Sequence, residues 1–294
     1  MRLTLVSFFI LALCLIACRW NESSVTHALP YIPPPLSRLE TWKKNKLSKQ
    51  VHDYFTETLL RNSGAFSGGI LVAKGGHVLY ENYQGFKDLP QKKDVLDESS
   101  SLHIASTSKT FTAIAILQLI QDNKLSLTDK VETFFKGWPY PGITIMDLLN
   151  HRSGLPNYIY FMEPAESKIV KRALTNSDII NYIIQNKPPR HAAPNTHFDY
   201  CNTNYLLLAS VLERVTGLSY PVYLQKAIFN FLGMKNSFVY QPADSNRSTP
   251  SYDYVGRVWA VDHLDLTYGD KNIYSTLRDM MKWDMAMYDT SFLS

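Results

Sequence analysis

The chain has 294 residues, 45% of them hydrophobic and 13% aromatic, enough for one large domain or two modest ones and far from a disordered composition. Thirty Lys and Arg against 26 Asp and Glu leave a formal charge of +4, spread without a basic block, so charge makes no case for a nucleic-acid partner. The densest basic cluster, Lys43, Lys44 and Lys46, reads as a solvated or membrane-proximal stretch.

At the N-terminus Arg2 precedes an apolar run over 3–15 that is broken only by Thr4 and Ser7. The run is too short for a permanent span and reads as a signal segment over 1–17. It ends in Leu15-Ile16-Ala17-Cys18, which is similar to a bacterial lipobox. That likeness implies cleavage before Cys18, acylation of Cys18, and a lipid anchor in the bacterial cell envelope. With Arg19 and no aspartate after the cysteine, the expected site is the outer membrane, facing the periplasm. Of the three cysteines, Cys14 would be removed and Cys18 lipidated. Cys201 is then left alone, and no intramolecular disulfide is expected.

Residues 18–45 are polar and carry Pro30, Pro33, Pro34 and Pro35, the composition of a partly extended tether to a domain over 46–294. Helical spacing follows over 47–60. Two apolar runs, 66–73 and 78–83, flank Lys74-Gly75-Gly76-His77 and predict a β-hairpin. A polar loop over 86–101 leads to an apolar helix over 111–120. Helical patterns then predominate to about residue 239. Among them are short helices near 125–129 and 143–150 and longer ones over 177–185, 205–215 and 223–232, with Gly217 and Gly233 as stops. Residues 241–272 are polar and irregular, and 276–288 is a final amphipathic helix.

The first chemical signal is Ser106 and Lys109 in Ser-x-x-Lys spacing, where polar sequence turns into the 111–120 helix. A serine hydroxyl is a weak nucleophile until a base takes its proton. Positions i and i+3 share a helix face, so the Lys109 amine reaches the Ser106 hydroxyl. The helix start adds unpaired N–H groups that favour developing negative charge. The second signal is Tyr200-Cys201-Asn202 in a loop before a helix: a phenol for proton transfer and an amide to hold the base and orient substrate. Tyr80-Glu81-Asn82 repeats the pattern inside a predicted strand, where alternation makes it a surface pair. His151-Arg152-Ser153-Gly154-Leu155-Pro156 reads as a helix ending in a Gly-Pro turn. No metal-ligand spacing, Gly-x-Ser-x-Gly elbow or phosphate-binding glycine loop occurs, so neither a metal nor a cofactor is expected.

Five segments in order carry a resemblance: Ile104-Ala105-Ser106-Thr107-Ser108-Lys109, Leu148-Leu149-Asn150-His151-Arg152-Ser153-Gly154-Leu155-Pro156, Phe198-Asp199-Tyr200-Cys201-Asn202-Thr203-Asn204-Tyr205, Leu232-Gly233-Met234 and Tyr274-Ser275-Thr276-Leu277-Arg278-Asp279. The chain resembles the serine β-lactamase-related family of class C β-lactamases, D-alanyl-D-alanine peptidases and similar esterases, over about 46–290. The resemblance implies an α/β (α+β) fold, a helical region beside an antiparallel sheet with the site between them. It implies Ser106 as nucleophile, Lys109 as its proton partner, Tyr200 as second acid/base and Asn202 as orienter. The reaction would be acyl transfer on a peptide, ester or β-lactam through a Ser106 acyl-enzyme. Cys201 stands where the family often has serine, and a structural role is expected of it.

One family feature is missing. From Tyr205 onward no Lys or His is followed two residues later by Gly, so the Lys-Thr-Gly or His-x-Gly strand is not found. That strand carries the second oxyanion N–H, and losing one such donor typically costs about 10²–10³ in rate. The expectation is therefore the larger part of such a hydrolase, cut short at the C-terminus and impaired. The alternative is a non-catalytic, lipid-anchored binding protein on the same fold.

Overall fold

A computed structural model describes residues 33, 35–61, 66–162, 172–259, 262–290 and 292–293. The signal segment over 1–17 and Cys18 lie outside the described residues.

The first helix, α1 (Arg38–Asp53), starts inside the segment expected to be tether. Its start is set by Ser37, whose hydroxyl accepts from Glu40 N–H while the Glu40 carboxylate accepts from Ser37 N–H. This capping box outweighs the poor apolar periodicity of the first two turns. After Tyr54–Leu60 continues the helix as a wider turn, β1 (Gly68–Lys74) and β2 (His77–Gln84) form the expected antiparallel hairpin. Gly75 and Gly76 sit at φ 57° and 76°, the left-handed pair a two-residue hairpin turn demands. His52 of α1 meets Tyr80 of β2 edge-on at 5.8 Å and Phe55 of the continuation stacks on it at 5.2 Å, so this helix covers a sheet that two strands alone would leave marginal.

A second, short hairpin, β3 (Phe86–Asp88) with β4 (Lys93–Val95), occupies the expected polar loop. Then come β5 (Leu102–His103), a tight turn over Ala105–Thr107, and α2 (Ser108–Gln121). The helical region continues with α3 (Val131–Phe134), α4 (Ile145–Leu149), α5 (Tyr158–Phe161), α6 (Asn176–Asn186), α7 (Asn202–Thr216) and α8 (Tyr220–Leu224). The strands β6 (Phe238–Val239) and β7 (Ile273–Ser275) precede the last helix, α9 (Leu277–Ala286). β7 is central in a three-stranded antiparallel sheet, with β5 on one side and β6 on the other.

The core gathers around α2 and α7. Phe111, Ala115, Ile116 and Leu119 bury one face of α2, and ten consecutive residues of α7 from Thr203 to Leu212 are buried. A helix buried all round sits inside its domain, surrounded by other helices. Phe111 stacks on Trp283 of α9 at 3.9 Å, tying the last helix to the one that carries Lys109.

Candidate active site

Ser106 lies in the turn that feeds α2, and that turn is locked to the sheet. Ile104 N–H donates to Ile273 O at 3.0 Å, and Ile273 N–H donates to the Ser108 hydroxyl at 3.1 Å. Ala105, just before the serine, is held at φ 46°, a conformation costly for a residue with a Cβ. Ala105→Gly is expected to raise unfolding free energy by about 0.5–1 kcal/mol, read by urea denaturation, because glycine adopts this φ without the Cβ clash.

Four predicted side chains converge here. Lys109 Nζ is 3.1 Å from Ser106 Oγ, 2.7 Å from Asn202 Oδ1 and 2.8 Å from the Asp270 carbonyl oxygen. Tyr200 OH donates to Ser106 Oγ at 3.0 Å from the other side. The Lys109 ammonium position lies 5.0 Å from the Tyr200 ring centre and 5.9 Å from that of Tyr205. Lys109 is 6% exposed and Tyr200 46%, while Ser106 is open to solvent. The Ser106 hydroxyl thus faces outward, with the Lys109 amine buried behind it and the Tyr200 phenol at the rim.

Asn202 opens α7, so its position is fixed by the helix, whereas Tyr200 depends on the preceding loop. That loop is seated by the turn after α4. His151 Nδ1 accepts from Cys201 N–H at 3.1 Å and lies 3.2 Å from Asn204 Nδ2, which places the imidazole proton on Nε2. The His151 ring lies against Tyr200, with centres 4.6 Å apart. Ser153 donates to Asn204 Oδ1 at 2.6 Å, and Asp199 N–H donates to His151 O at 2.8 Å. Burial, reinforced by the nearby Lys109 charge, lowers the His151 pKa to about 4. Cys201 is buried and donates toward Leu155 O at 3.4 Å, and burial pushes its thiol up to about 11. It is a packed side chain, and buried thiols of this kind are generally inert.

Two contributors escape sequence reading. His151 is one: its segment reads as a Gly-Pro turn and as part of the resemblance, with no role given to the histidine itself. The other is the Asp270 carbonyl, delivered by a segment that grips both helices. Gly269, at φ 99°, lies so close to α7 that a Cβ would stand 2.4 Å from Tyr205 O, and Gly269 O accepts from the Thr112 hydroxyl at 2.6 Å. The dipeptide Gly269-Asp270 was the only available signal, and alone it is uninformative. Beyond it a cavity of about 530 Å³ is lined by His103, Trp259, Lys271, Asn272 and Tyr274 among others. Among the described residues no cluster of metal-ligating side chains occurs.

The fold class is that of the serine β-lactamases and penicillin-binding proteins. Against solved structures, the chain aligns with a penicillin-binding protein from Bacillus halodurans at TM-score 0.66 and 28% identity, covering 77% of this chain and 72% of that one. It aligns with D-amino acid amidase from Ochrobactrum anthropi SV3 at TM-score 0.66 and 25% identity, covering 86% and 72%. The chain belongs to the family described as Beta-lactamase, whose model matches residues 54–293. Penicillin-binding protein 4* of Bacillus subtilis is 32% identical over 268 residues, 85% of this chain and 58% of that protein. D-aminopeptidase of Brucella anthropi is 26% identical over 256 residues, 82% of this chain and 46% of that protein. The chain thus spans about half the length of these two relatives.

Proposed function

We propose that the chain carries a serine hydrolase site, forming an acyl-enzyme at Ser106 on a small-molecule or peptide substrate with an amide, ester or β-lactam carbonyl. The observation that carries this reading is the contact of Ser106 Oγ with both Lys109 Nζ and Tyr200 OH, groups brought together from distant parts of the chain. Kinship with D-aminopeptidase and penicillin-binding protein 4* supports it.

Asn202 Oδ1 and Asp270 O can only accept, so each claims one Lys109 N–H. In the neutral amine the remaining tetrahedral direction is a lone pair facing Ser106 Oγ, ready to take its proton as Oγ bonds to the carbonyl carbon. Tyr200 OH then protonates the leaving group. In the second half, water attacks the acyl carbon and gives its proton to the Tyr200 phenolate. Ser106 Oγ departs with the proton that Lys109 held, and the site returns to its starting state. Lys109 and Tyr200 thus each move one proton per half-reaction, a division of labour a binding-only protein has no need of.

The test is covalent labelling by a fluorophosphonate or a fluorescent penicillin, with the adduct located by peptide mass spectrometry. A single adduct on Ser106, lost in Ser106→Ala, is the expected result. Tight probe binding that survives Ser106→Ala would instead establish the binding-only role. The reading includes an envelope anchor at Cys18, supported by the Leu15-Ile16-Ala17-Cys18 sequence. Incorporation of labelled palmitate in a bacterial host should vanish in Cys18→Ala.

A further inference from the structure

Directly behind Lys109 lies a carboxyl group that proton transfer at Ser106 does not use. Asp270 is 1% exposed, and its backbone carbonyl holds Lys109. Its Oδ2 is 2.9 Å from Tyr158 OH, and its Oδ1 is buried without a hydrogen-bond partner. Tyr158 OH is in turn 2.9 Å from Thr267 Oγ1, which donates to Leu264 O at 2.7 Å.

Counting protons along this chain decides its direction. Three oxygen–oxygen contacts each need one proton, and the Tyr158 and Thr267 hydroxyls supply two. Leu264 O is a carbonyl and supplies none. With Asp270 ionised, Tyr158 would donate to it and one of the other two contacts would set lone pair against lone pair, even though Leu264 O keeps the Thr267 N–H at 3.1 Å; the charged Oδ1 would also be buried without a partner. An unpaired buried charge costs far more than an unpaired neutral carbonyl. With a proton on Asp270 Oδ2 every contact is satisfied: Asp270 donates to Tyr158, Tyr158 to Thr267, and Thr267 to Leu264 O. Only the neutral Oδ1 remains without a partner.

We infer that Asp270 is kept as a neutral carboxylic acid, and that it is a positioning residue that presents its carbonyl to Lys109 without placing a carboxylate beside the amine. The groups facing it are Lys109 from α2, Tyr158 from α5 and Tyr220 from α8, together with Lys271 and Asp265 of its own segment. Burial raises its pKa above the usual carboxylate value, while the Lys271 and Lys109 charges pull the other way. The three direct partners of Lys109 are a hydroxyl, an amide oxygen and a backbone carbonyl, and a neutral Asp270 adds no carboxylate charge behind them. The protonation state rests on the hydrogen-bond chain alone; its service to Lys109 rests on the proposed acyl transfer.

The test is infrared difference spectroscopy of the whole chain at pH 7, wild type minus Asp270→Asn. A protonated-carboxyl C=O band that disappears only as pH rises well above the usual carboxylate range supports the inference; carboxylate bands alone at pH 7 overturn it. Urea denaturation adds a second readout. A raised folded-state pKa means that wild type loses stability as pH climbs above the unfolded value of 3.8. The urea midpoint of Asp270→Asn should therefore rise relative to wild type between pH 4 and pH 7, and a constant gap would contradict the protonated acid. For the service to Lys109, Asp270→Ala should slow Ser106 labelling by about tenfold or more, and Asp270→Asn, whose amide still donates to Tyr158, should restore it to within about threefold. If Asp270→Asn instead moves the acid limb of the labelling profile to lower pH, a real charge was removed and the inference fails. Absence of labelling in the parent chain would sink the acyl-transfer reading while leaving the infrared result intact.

Discussion

Lys109→Met is expected to slow covalent labelling of Ser106 by about 10²–10⁴, the usual contribution of a positioned general base. Methionine keeps the length and most of the volume of the side chain. It removes the amine that faces Ser106 Oγ and leaves Asn202 Oδ1 and the Asp270 carbonyl without their donor. Stranding those two acceptors destabilises the fold by about 1–3 kcal/mol each where water cannot reach them. Stability and labelling must therefore be measured on the same samples. Lys109→Arg separates proton transfer from electrostatics, since guanidinium stays charged and cannot accept a proton at neutral pH. If Lys109 acts as the base, arginine fails about as badly as methionine. If its role is only to hold positive charge beside the nucleophile, arginine recovers most of the rate. A rate within about threefold of wild type in both variants would remove Lys109 from the chemistry.

The four side chains that meet at the candidate site were legible in the sequence because each pair is local. Ser106 and Lys109 are one helical turn apart, and Tyr200 and Asn202 flank one residue at the start of α7. What no local pattern encodes is how the pairs meet. The Lys109 contact to Asn202 crosses 93 positions of sequence, and only the packing of α2 on α7 closes that gap. The two positioning elements were illegible for different reasons. The contribution of Asp270 is a backbone carbonyl, which every residue possesses, and its placement follows from Gly269 fitting against α7. His151 looked like part of a turn because its work is done by a ring nitrogen accepting a backbone N–H some 50 residues later.

Among the secondary elements the same distinction holds. The β1 and β2 hairpin was announced by its Gly-Gly turn and flanking apolar runs. The β5, β7 and β6 sheet was not, because strands of two or three residues have no readable alternation and pair across the whole domain. The start of α1 at Arg38 was missed for a third reason. Capping by Ser37 and Glu40 is a local signal, but it was overruled by the prolines just before it and the polar residues just after. Pro35 only limits the chain ahead of the cap, so it does not oppose a helix that begins three residues later.

Acidification is expected to disable the site from the His151 side, and to do so within a narrow window. The imidazole is buried, its Nδ1 already accepts Cys201 N–H, and its pKa is lowered from the ordinary 6.5 to about 4. The unfolded chain therefore binds a proton that the folded chain refuses between these two values. Stability from keeping His151 neutral is complete above about pH 6.5 and falls away as pH drops toward 4, for a loss of about 3 kcal/mol. Asp270 titrates with the opposite sign, losing stability as pH rises, so the total curve alone cannot isolate the histidine. His151→Asn can, since its amide oxygen takes over the Nδ1 acceptor position and does not titrate. Between pH 7 and pH 4 the unfolding free energy of wild type should fall about 3 kcal/mol further than that of His151→Asn, and parallel curves would refute the assignment. Because Cys201 sits between Tyr200 and Asn202, the same protonation should release both residues from Ser106 and Lys109. Labelling should therefore be lost on acidification in wild type at a higher pH than in His151→Asn.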